Sequence, residues 1–336
     1  GAFHAPYSFF TTSEHPGSVF PSRAWEQGIF ERHGERAGRF MTITTADHWK
    51  LRTQTLDFGE LPLLMGIVNV TPDSFSDGGR SCNAEQAVDR AMRLADEGAD
   101  ILDIGGESTR PGADPVDAKE ELCRVMPVLE RLRAKTHLPL SIDTSKAAVA
   151  AAAIEAGVEI INDVTALQAD PDLMPLAVES GCGICLMHIQ GTPRTMQIEP
   201  RYDDVVAEVG EYLRNRRDAL LAAGAEQDRI ALDPGIGFGK TTRHNIQLLA
   251  GIGRLHEFGC TVLVGHSRKR FLADPTEGWG TAGRHPPRPL TIEERLPGTI
   301  GAAMSLARCR VQVLRVHDIA PLRQALLVFQ ATGGLG

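Results

Sequence analysis

The sequence predicts an α/β fold, a (β/α)8 TIM barrel that follows an N-terminal extension. From about residue 60 onward, eight short apolar runs rich in β-branched residues alternate with eight amphipathic helical patterns. The series takes about 275 residues, the usual length of a closed barrel. An open doubly wound sheet is the runner-up, but no glycine fingerprint follows the first run. Residues 1–58 lack a sustained hydrophobic period, so we assign them to a partly disordered extension and 59–336 to the barrel.

The eight runs are interpreted as strands because they are short and almost continuously apolar, as strands buried on both faces of a parallel sheet are. The segments between them, such as 118–136 and 202–225, carry apolar residues three and four positions apart and are interpreted as helices. Several of these segments end at glycine, which commonly follows the last helical turn. The predicted strands, in order, are Leu61–Val70, Ile101–Gly105, Leu138–Asp143, Val158–Asp163, Gly183–His188, Arg229–Asp233, Thr261–Gly265 and Cys309–Val316.

The composition excludes several classes of protein. A chain of 336 residues that is 42% hydrophobic can bury a large core, and its net charge of -8 argues against nucleic acid or an anionic membrane as a partner. No stretch approaches the ~18 apolar residues of a membrane-spanning helix. The six cysteines show no disulfide or zinc pattern, so we expect reduced thiols and a cytoplasmic protein. Cys182 and Cys185 form a C-x-x-C that we interpret as buried strand thiols rather than a redox pair.

Polar or charged side chains follow every apolar run. Examples are Asn69 after the first run, Asp143 after the third and Asp233 after the sixth. Because the carboxyl ends of barrel strands meet at one mouth, we expect these side chains to surround one site. Short carboxylates and amides can pair with the N–H groups of a planar nitrogen heterocycle, while Lys269 and Arg315 can bind phosphate oxygens. The sequence therefore predicts a phosphate-bearing heterocycle as the ligand.

Local explanations compete with this site. An aspartate at a strand end is often the N-cap of the next helix, and Asp143 could be one. Asp163 and His188 could equally be structural, and His317 taken alone would be a surface histidine. The segment "GIGFGKT" resembles a phosphate loop, but Pro234 stands where that motif requires glycine. We favour a single site because polar residues follow all eight runs, which capping alone does not explain.

Seven motifs resemble those of the dihydropteroate synthase family, in order and at comparable spacing. They are "MGIVNVTPDSFSDGGR", "DIGGESTRPGA", "SIDTSK", "MHIQGTPRTMQ", "LDPGIGFGK", "GHSRKRFL" and "RVHD". The resemblance implies condensation of 6-hydroxymethyl-7,8-dihydropterin pyrophosphate with para-aminobenzoate, giving 7,8-dihydropteroate and pyrophosphate in folate biosynthesis. It also implies Mg²⁺ as the cofactor, a homodimer, and inhibition by sulfonamides.

The resemblance further implies a role for each matching residue. As catalytic residues it implies Asp143, Lys269 and Arg315. As pterin-binding residues it implies Asp143, Asn162, Met187, Asp233, Gly237, Phe238, Lys269 and Arg315. At the pyrophosphate end it implies Asn69, Thr109, Arg110, Arg315, Val316 and His317, with Asn69 also as the metal ligand. Around the aminobenzoate it implies Phe75, Thr109, Arg110, Pro111, Ser267 and Lys269.

Two rival functions remain. A pterin-binding methyltransferase on the same barrel would keep the aspartate and asparagine at the pterin edge, but it has no use for the loops at Phe75 and Arg110. A non-catalytic relative that only binds pterin would be expected to lose charged groups such as Lys269, Arg110 or Arg315, all of which are present. The presence of these loops and of these charged residues favours the synthase over both rivals. We expect loops 71–79 and 106–114 to be mobile until the pterin pyrophosphate binds.

Overall fold

The structure, a computed structural model, describes residues 45–71, 80–110, 112–273 and 288–335. Within these ranges, eight parallel strands close into a barrel and eight α-helices alternate with them. A short antiparallel hairpin precedes the first barrel strand. The predicted TIM barrel is therefore confirmed.

The bounds of the elements follow the alternation seen in the sequence. The hairpin consists of β1 (His48–Lys50) and β2 (Thr55–Asp57). The barrel strands are β3 (Leu63–Asn69), β4 (Ile101–Gly105), β5 (Leu140–Asp143), β6 (Ile160–Asp163), β7 (Gly183–Met187), β8 (Ile230–Asp233), β9 (Thr261–Gly265) and β10 (Val313–Val316). The helices are α1 (Arg80–Asp96), α2 (Ala118–Arg133), α3 (Ala147–Glu155), α4 (Leu173–Ser180), α5 (Val205–Ala222), α6 (Thr242–Ala250), α7 (Leu296–Arg308) and α8 (Ile319–Ala331).

The strand register aligns the polar strand ends around the barrel. Each strand pairs with the next along the chain, and β10 closes the ring by pairing with β3. Asp143 lies opposite Gly105 on one side and Asn162 on the other, and Met187 lies opposite Asp233. The backbone hydrogen bonds of a closed sheet leave little freedom at these positions. The ends of the strands therefore form a rigid base for a site.

The hairpin closes the end of the barrel opposite to the strand carboxyl ends. Trp49 and Leu51 are buried in one cluster with apolar residues from most of the barrel strands, among them Met65, Ile101 and Ile160. The indole Nε1 of Trp49 donates to the carbonyl of Arg229 at 2.9 Å. Residues 45–58, which the sequence assigned to the extension, belong to the same compact unit as the barrel. The expectation of partial disorder before residue 45 lies outside the described residues.

We expect Trp49→Ala to lower the free energy of unfolding by about 3–5 kcal/mol, because it empties a large space under the barrel that the neighbours cannot refill. Urea unfolding at equilibrium measures this loss. Trp49→Phe is the control, since it keeps most of the packing and loses only the bond to the Arg229 carbonyl, at about 1 kcal/mol. An unchanged unfolding midpoint in Trp49→Ala would show that the hairpin does not contribute to the core.

The two cysteines of the C-x-x-C are buried thiols, as predicted. Cys182 precedes β7 and Cys185 lies within it, and neither side chain is exposed. Burial raises the pKa of both thiols, which disfavours the reactive thiolate. None of the helices in the described ranges combines the length and the apolar character that crossing a bilayer requires.

Candidate active site

Four short polar side chains, one in the middle of β4 and three at the carboxyl ends of other strands, lie together in the barrel mouth. None of them is more than 8% exposed, so each needs a partner inside the protein or from a ligand. They are Asp103 in β4, Asp143 in β5, Asn162 in β6 and Asp233 in β8.

Arg315, in β10, connects two of these carboxylates. Its Nε donates to Asp103 Oδ2 at 2.6 Å and its Nη2 donates to Asp143 Oδ2 at 2.7 Å. Asn162 Nδ2 also reaches the carboxylate of Asp103, at 3.3 Å. Burial lowers the pKa of Arg315, but the two carboxylates more than compensate and raise it overall. The guanidinium is therefore a permanent positive charge in the mouth.

Asp143 is not the N-cap of the next helix. Helix α3 begins after Lys146, whose side chain makes no capping bond, and the backbone N–H of Ala147 donates to Asp170 at 2.8 Å instead. The pKa of Asp143 is raised to about 7 by burial, although Arg315 opposes the shift. The capping interpretation of Asp143 is thus wrong. Its carboxylate belongs to the mouth.

Asp233 lies beside a second cation. Its Oδ1 accepts a hydrogen bond from the backbone N–H of Gly235 at 2.7 Å, and within the described residues no hydrogen bond reaches its Oδ2. Burial raises the pKa of Asp233, against the opposing effects of the Gly235 N–H and Lys269. Burial also lowers the pKa of Lys269 to about 7. A carboxylate oxygen is therefore available to a donor that enters the mouth.

The walls next to Asp233 are apolar or close-packed. The ammonium of Lys269 lies 3.8 Å from the centroid of the Phe238 ring, a cation–π contact. A Cβ on Gly237 would come within 2.8 Å of Lys269 Cδ, so this position has no room for a larger residue. Met187 is 5% exposed at the end of β7. We call these four residues the slot, because closely packed and largely apolar walls of this kind suit a flat ligand.

The last two strands contribute hydroxyl and imidazole groups. Ser267 Oγ lies 3.1 Å from His317 Nδ1 and also accepts from the His317 backbone N–H at 3.3 Å. Burial lowers the pKa of His317 to about 3, and the positive charge of Arg315 adds to the shift, so the ring is neutral. Val316, the last residue of β10, is fully buried. His317 is thus held in the mouth rather than on the outer surface.

The remaining predicted residues lie on or next to the two loops. Asn69 is partly buried at the end of β3, Thr109 is partly exposed, and Arg110 is exposed. Phe75 and Pro111 lie outside the described residues, as does most of loop 71–79. The mobility expected for that loop therefore stays a prediction.

The loop after β4 is attached to the barrel at its first residues. Glu107 accepts a hydrogen bond from the backbone N–H of Val116 at 3.1 Å and forms an ion pair with Lys146. Lys146 also donates to the fully buried Glu121 at 2.6 Å. The Glu107 carboxylate thus fixes the start of the loop to Lys146 and also holds the backbone of residue 116. The segment between them carries Thr109 and Arg110.

Asp163 and His188, for which the sequence left a structural role open, both bind other parts of the protein. Asp163 accepts hydrogen bonds from the backbone N–H groups of Thr165 and Leu167 at 2.8 and 2.7 Å. His188 contacts Lys240 through its Nδ1 at 2.9 Å, and its ring lies edge-on to Tyr212. The polar atoms of both side chains are therefore used in contacts within the protein.

The sequence assigned no role to Asp103 or Lys240. Asp103 stands in the middle of an apolar strand, and a charge buried in that setting requires a partner, which is a usable signal. Lys240 closes a glycine-rich turn and is 3% exposed; it donates to the Phe238 carbonyl in the same turn, but its side-chain partner, His188, comes from a different loop. The side-chain partners of Asp103 and Lys240 cannot be read from neighbouring positions.

The side chains in this mouth are suited to bind a flat, nitrogen-rich and negatively charged molecule. Carboxylate and amide groups at the strand ends surround one arginine, a lysine lies over an aromatic ring, and a histidine contacts a serine. The Ser267–His317 contact is a poor nucleophile–base pair, because burial lowers the pKa of His317 to about 3 and makes the imidazole a weak base. Electrostatic stabilisation of developing charge is the catalytic effect that these groups can supply.

Comparison with known proteins gives consistent matches. The model of a family described as pterin binding enzyme matches residues 65–317. The dihydropteroate synthase of Neisseria meningitidis serogroup B is 46% identical over 277 residues, which cover 81% of this chain and 93% of that protein.

Solved structures agree with these sequence matches. The dihydropteroate synthase of Xanthomonas albilineans with 4-aminobenzoic acid is 46% identical and has a TM-score of 0.76, covering 86% of this chain and 99% of that one. A structure from the same organism in complex with 7,8-dihydropteroate is 43% identical with a TM-score of 0.72, covering 85% of this chain and 98% of that one.

Proposed function

Because the chain belongs to the dihydropteroate synthase family, we propose that it condenses 6-hydroxymethyl-7,8-dihydropterin pyrophosphate with para-aminobenzoate. The products are 7,8-dihydropteroate and pyrophosphate. The observation that carries this proposal is Arg315, held by Asp103 and Asp143 inside a ring of polar strand ends. That arrangement sets a fixed cation beside buried carboxylates, as the departure of an anionic group from a cationic ring requires.

The pterin is proposed to bind between the carboxylates and the slot. Asp143, Asn162 and Asp233 would pair with the N–H groups and ring nitrogens at its edge, and the free Oδ2 of Asp233 supports this role. Lys269 would donate to a ring acceptor while it lies over Phe238. Met187 and Gly237 would bound the faces of the ring.

The pyrophosphate is proposed to lie at the cationic side of the mouth. Arg315, His317 and the backbone of Val316 would contact its oxygens, with Asn69, Thr109 and Arg110 closing over them. His317 is neutral in the empty mouth because burial lowers its pKa. A bound pyrophosphate would favour the protonated form of His317, which would then be a second positive charge beside Arg315.

The residues fit Mg²⁺ at this end. Among the described residues no cluster of three His, Cys, Asp or Glu side chains could enclose a metal ion, whereas Asn69 offers one amide oxygen. Mg²⁺ is commonly bound by one or two protein oxygens, with phosphate oxygens and water completing its shell. Asn69 would hold the ion, which when bound supplies positive charge to the pyrophosphate.

The reaction proceeds by loss of pyrophosphate and attack of the amine. When the bond between the exocyclic methylene and the pyrophosphate oxygen breaks, its electron pair leaves with pyrophosphate and a delocalised pterin cation remains. Asp143 would stabilise that cation, and Arg315 would stabilise the leaving group. The aniline nitrogen then forms the new C–N bond and loses one proton to solvent. An aniline is nucleophilic without a strong base, which agrees with a mouth that has none.

The aminobenzoate is proposed to bind near the mouth of the slot. Ser267, Lys269, Thr109 and Arg110 would surround it, together with Phe75 and Pro111 outside the described residues. The exposed position of Arg110 supports a pocket that is assembled only when the loops close.

Pyrophosphate release tests the proposal against its rivals. We expect release from the pterin substrate at a rate that depends on para-aminobenzoate. A methyltransferase would release none and would instead transfer a methyl group from methyltetrahydrofolate. A non-catalytic binding protein would bind the pterin without releasing pyrophosphate.

We expect substrate binding to be ordered, because closing the two loops costs about 1–2 kcal/mol per ordered residue and needs the charge of pyrophosphate as compensation. Calorimetry should show no binding of para-aminobenzoate to the empty protein, and binding once a pterin, pyrophosphate and Mg²⁺ are present. Phe75→Ala and Arg110→Ala should weaken aminobenzoate use far more than pterin binding. Tight binding of para-aminobenzoate to the empty protein would contradict this order.

We also propose a homodimer in the cytoplasm. Two apolar side chains on the outer face of α8, Leu327 and Val328, are 51% and 57% exposed and are available to a contact between copies. The five cysteines that the structure describes are free thiols, which agrees with a reducing compartment.

A further inference from the structure

The turn that follows β8 has a tightly constrained backbone. Gly235, Gly237 and Gly239 all adopt positive φ angles, of 66°, 83° and 66°. A Cβ on Gly235 would lie 1.8 Å from the carbonyl oxygen of His188, and one on Gly239 would lie 2.7 Å from that of Gln190. The turn thus lies directly on the backbone of the segment that follows β7.

Lys240 joins these two segments from inside. Its ammonium donates to the carbonyl of Phe238 at 2.9 Å and contacts His188 Nδ1 at 2.9 Å, with the His188 carbonyl at 3.5 Å. The side chain is 3% exposed, and within the described residues it forms no ion pair with a carboxylate. All three N–H bonds of the ammonium are therefore directed at acceptors within the protein.

The chemistry of this contact agrees with a neutral histidine. Burial lowers the pKa of His188 to about 3, so the ring is neutral, and an ammonium at Nδ1 requires that Nδ1 accept and that Nε2 carry the proton. Burial also lowers the pKa of Lys240 to about 7, because an ammonium is less stable away from water. Lysine side chains are seldom fully buried unless they are paired, and the partners of Lys240 are His188 and the Phe238 carbonyl.

The turn presents two of the residues assigned to the pterin pocket. The N–H of Gly235 orients the Asp233 carboxylate, and the backbone N–H of His188 donates to the Asp233 carbonyl at 3.0 Å. Phe238, whose carbonyl Lys240 binds, carries the ring under the Lys269 ammonium. A displacement of the turn would therefore move an edge ligand and a wall of the pocket together.

We propose that Lys240 is a positioning residue for the pterin pocket, which holds the glycine turn against the His188 segment so that Asp233 and Phe238 keep their binding geometry. Lys240 does not contact the ligand itself, since its donors are used within the protein. That the ligand is a pterin rests on the proposed function, whereas the constraint on the turn does not.

The first experiment compares Lys240→Met with the wild type in steady-state kinetics. Methionine keeps the length and bulk of the side chain and removes the donors. We expect the KM for the pterin substrate to rise about 10- to 100-fold, because small displacements of binding groups have effects of that order. The KM for para-aminobenzoate at saturating pterin should stay within about 2-fold. Equal effects on both KM values, or none, would overturn the proposal.

Tyr202→Phe is the matched control. The Tyr202 hydroxyl donates to the carbonyl of Gly239 at 2.9 Å, so this variant removes one hydrogen bond to the same turn from its outer side. We expect a change in the pterin KM of less than about 3-fold. If Tyr202→Phe raised the pterin KM as much as Lys240→Met does, every hydrogen bond to the turn would matter equally. That result would contradict a special role for Lys240.

Hydrogen–deuterium exchange tests the constraint without any ligand. In Lys240→Met, amides of residues 235–239 should exchange faster than in the wild type, while those of β3 and β4 should not change. Unchanged exchange in the turn would overturn the proposal. If the wild type did not bind a pterin but exchange in the turn still rose, the proposed function would fail and the constraint would stand. If Lys240→Met does not fold, Lys240→Gln, which retains a shorter donor, should show both effects to a smaller extent.

Discussion

Replacing Arg315 with methionine is expected to abolish measurable synthesis and to lower the free energy of unfolding by about 3–5 kcal/mol, because it leaves two buried carboxylates without their shared cation. Asp103 is fully buried and Asp143 is 8% exposed, so water cannot replace the guanidinium. The same substitution removes the fixed positive charge proposed to meet the pyrophosphate. Urea unfolding and a pyrophosphate assay measure the two losses separately.

The loss of stability in Arg315→Met should depend on pH. The pKa of Asp143 is already raised to about 7 by burial, and removing Arg315, which opposes that shift, raises it further. Between the unfolded pKa of about 4 and this raised value, the folded state binds the extra proton. Stability of the variant relative to the wild type should therefore recover as pH falls through the variant's higher pKa to about 7, below which Asp143 is protonated in both proteins.

Arg323→Met is the control for this prediction. Arg323 pairs with Asp100 at 2.5 Å, but both side chains are partly exposed, at 25% and 31%. A pair in that position contributes at most about 1 kcal/mol. If Arg315→Met unfolded at the same urea concentration as the wild type near pH 8, the charge arrangement described for the mouth would be contradicted.

Asp233→Asn is expected to weaken pterin binding by about 2–4 kcal/mol, which corresponds to tens- to hundreds-fold or more. The amide oxygen can still accept from the Gly235 N–H, as Oδ1 of the carboxylate does at 2.7 Å. Its NH₂ group then takes the position of Oδ2 and faces the N–H donors of the pterin edge. Calorimetric titration with a pterin measures the loss.

Asp163→Asn is the matched control for Asp233→Asn. Asp163 is also a buried strand-end aspartate, but its oxygens accept from Thr165 and Leu167. Its replacement should affect unfolding and leave pterin affinity within about 3-fold, since the site keeps its groups. Unchanged pterin affinity in Asp233→Asn would remove Asp233 from the site.

The barrel and most of the mouth could be predicted because both depend on local pattern. A strand's direction in a closed parallel barrel determines that its last residues face the mouth, so Asp143, Asn162 and Asp233 follow from the alternation alone. The pairing of Arg315 with Asp103 could not be predicted in this way. These residues are 212 positions apart and meet only because β10 closes the ring beside β3, one strand from β4.

The hairpin under the barrel shows a second limit of local pattern. Its strands have three residues each, too short to display a period, and Trp49 is buried in a cluster whose other members come from most of the barrel strands. The segment therefore resembled an irregular extension. Lys240 was missed for a related reason, because the glycines that suggested a phosphate loop serve instead to bring two backbones together around it.

The most direct test of the account uses para-aminobenzoate labelled with ¹⁵N at its amine, supplied with the pterin pyrophosphate and Mg²⁺. Mass spectrometry should detect 7,8-dihydropteroate that carries the label in full, in an amount equal to the pyrophosphate released. That result requires a new bond between the amine nitrogen and the pterin methylene. Release of pyrophosphate without labelled dihydropteroate, or no reaction with both substrates present, would contradict the account.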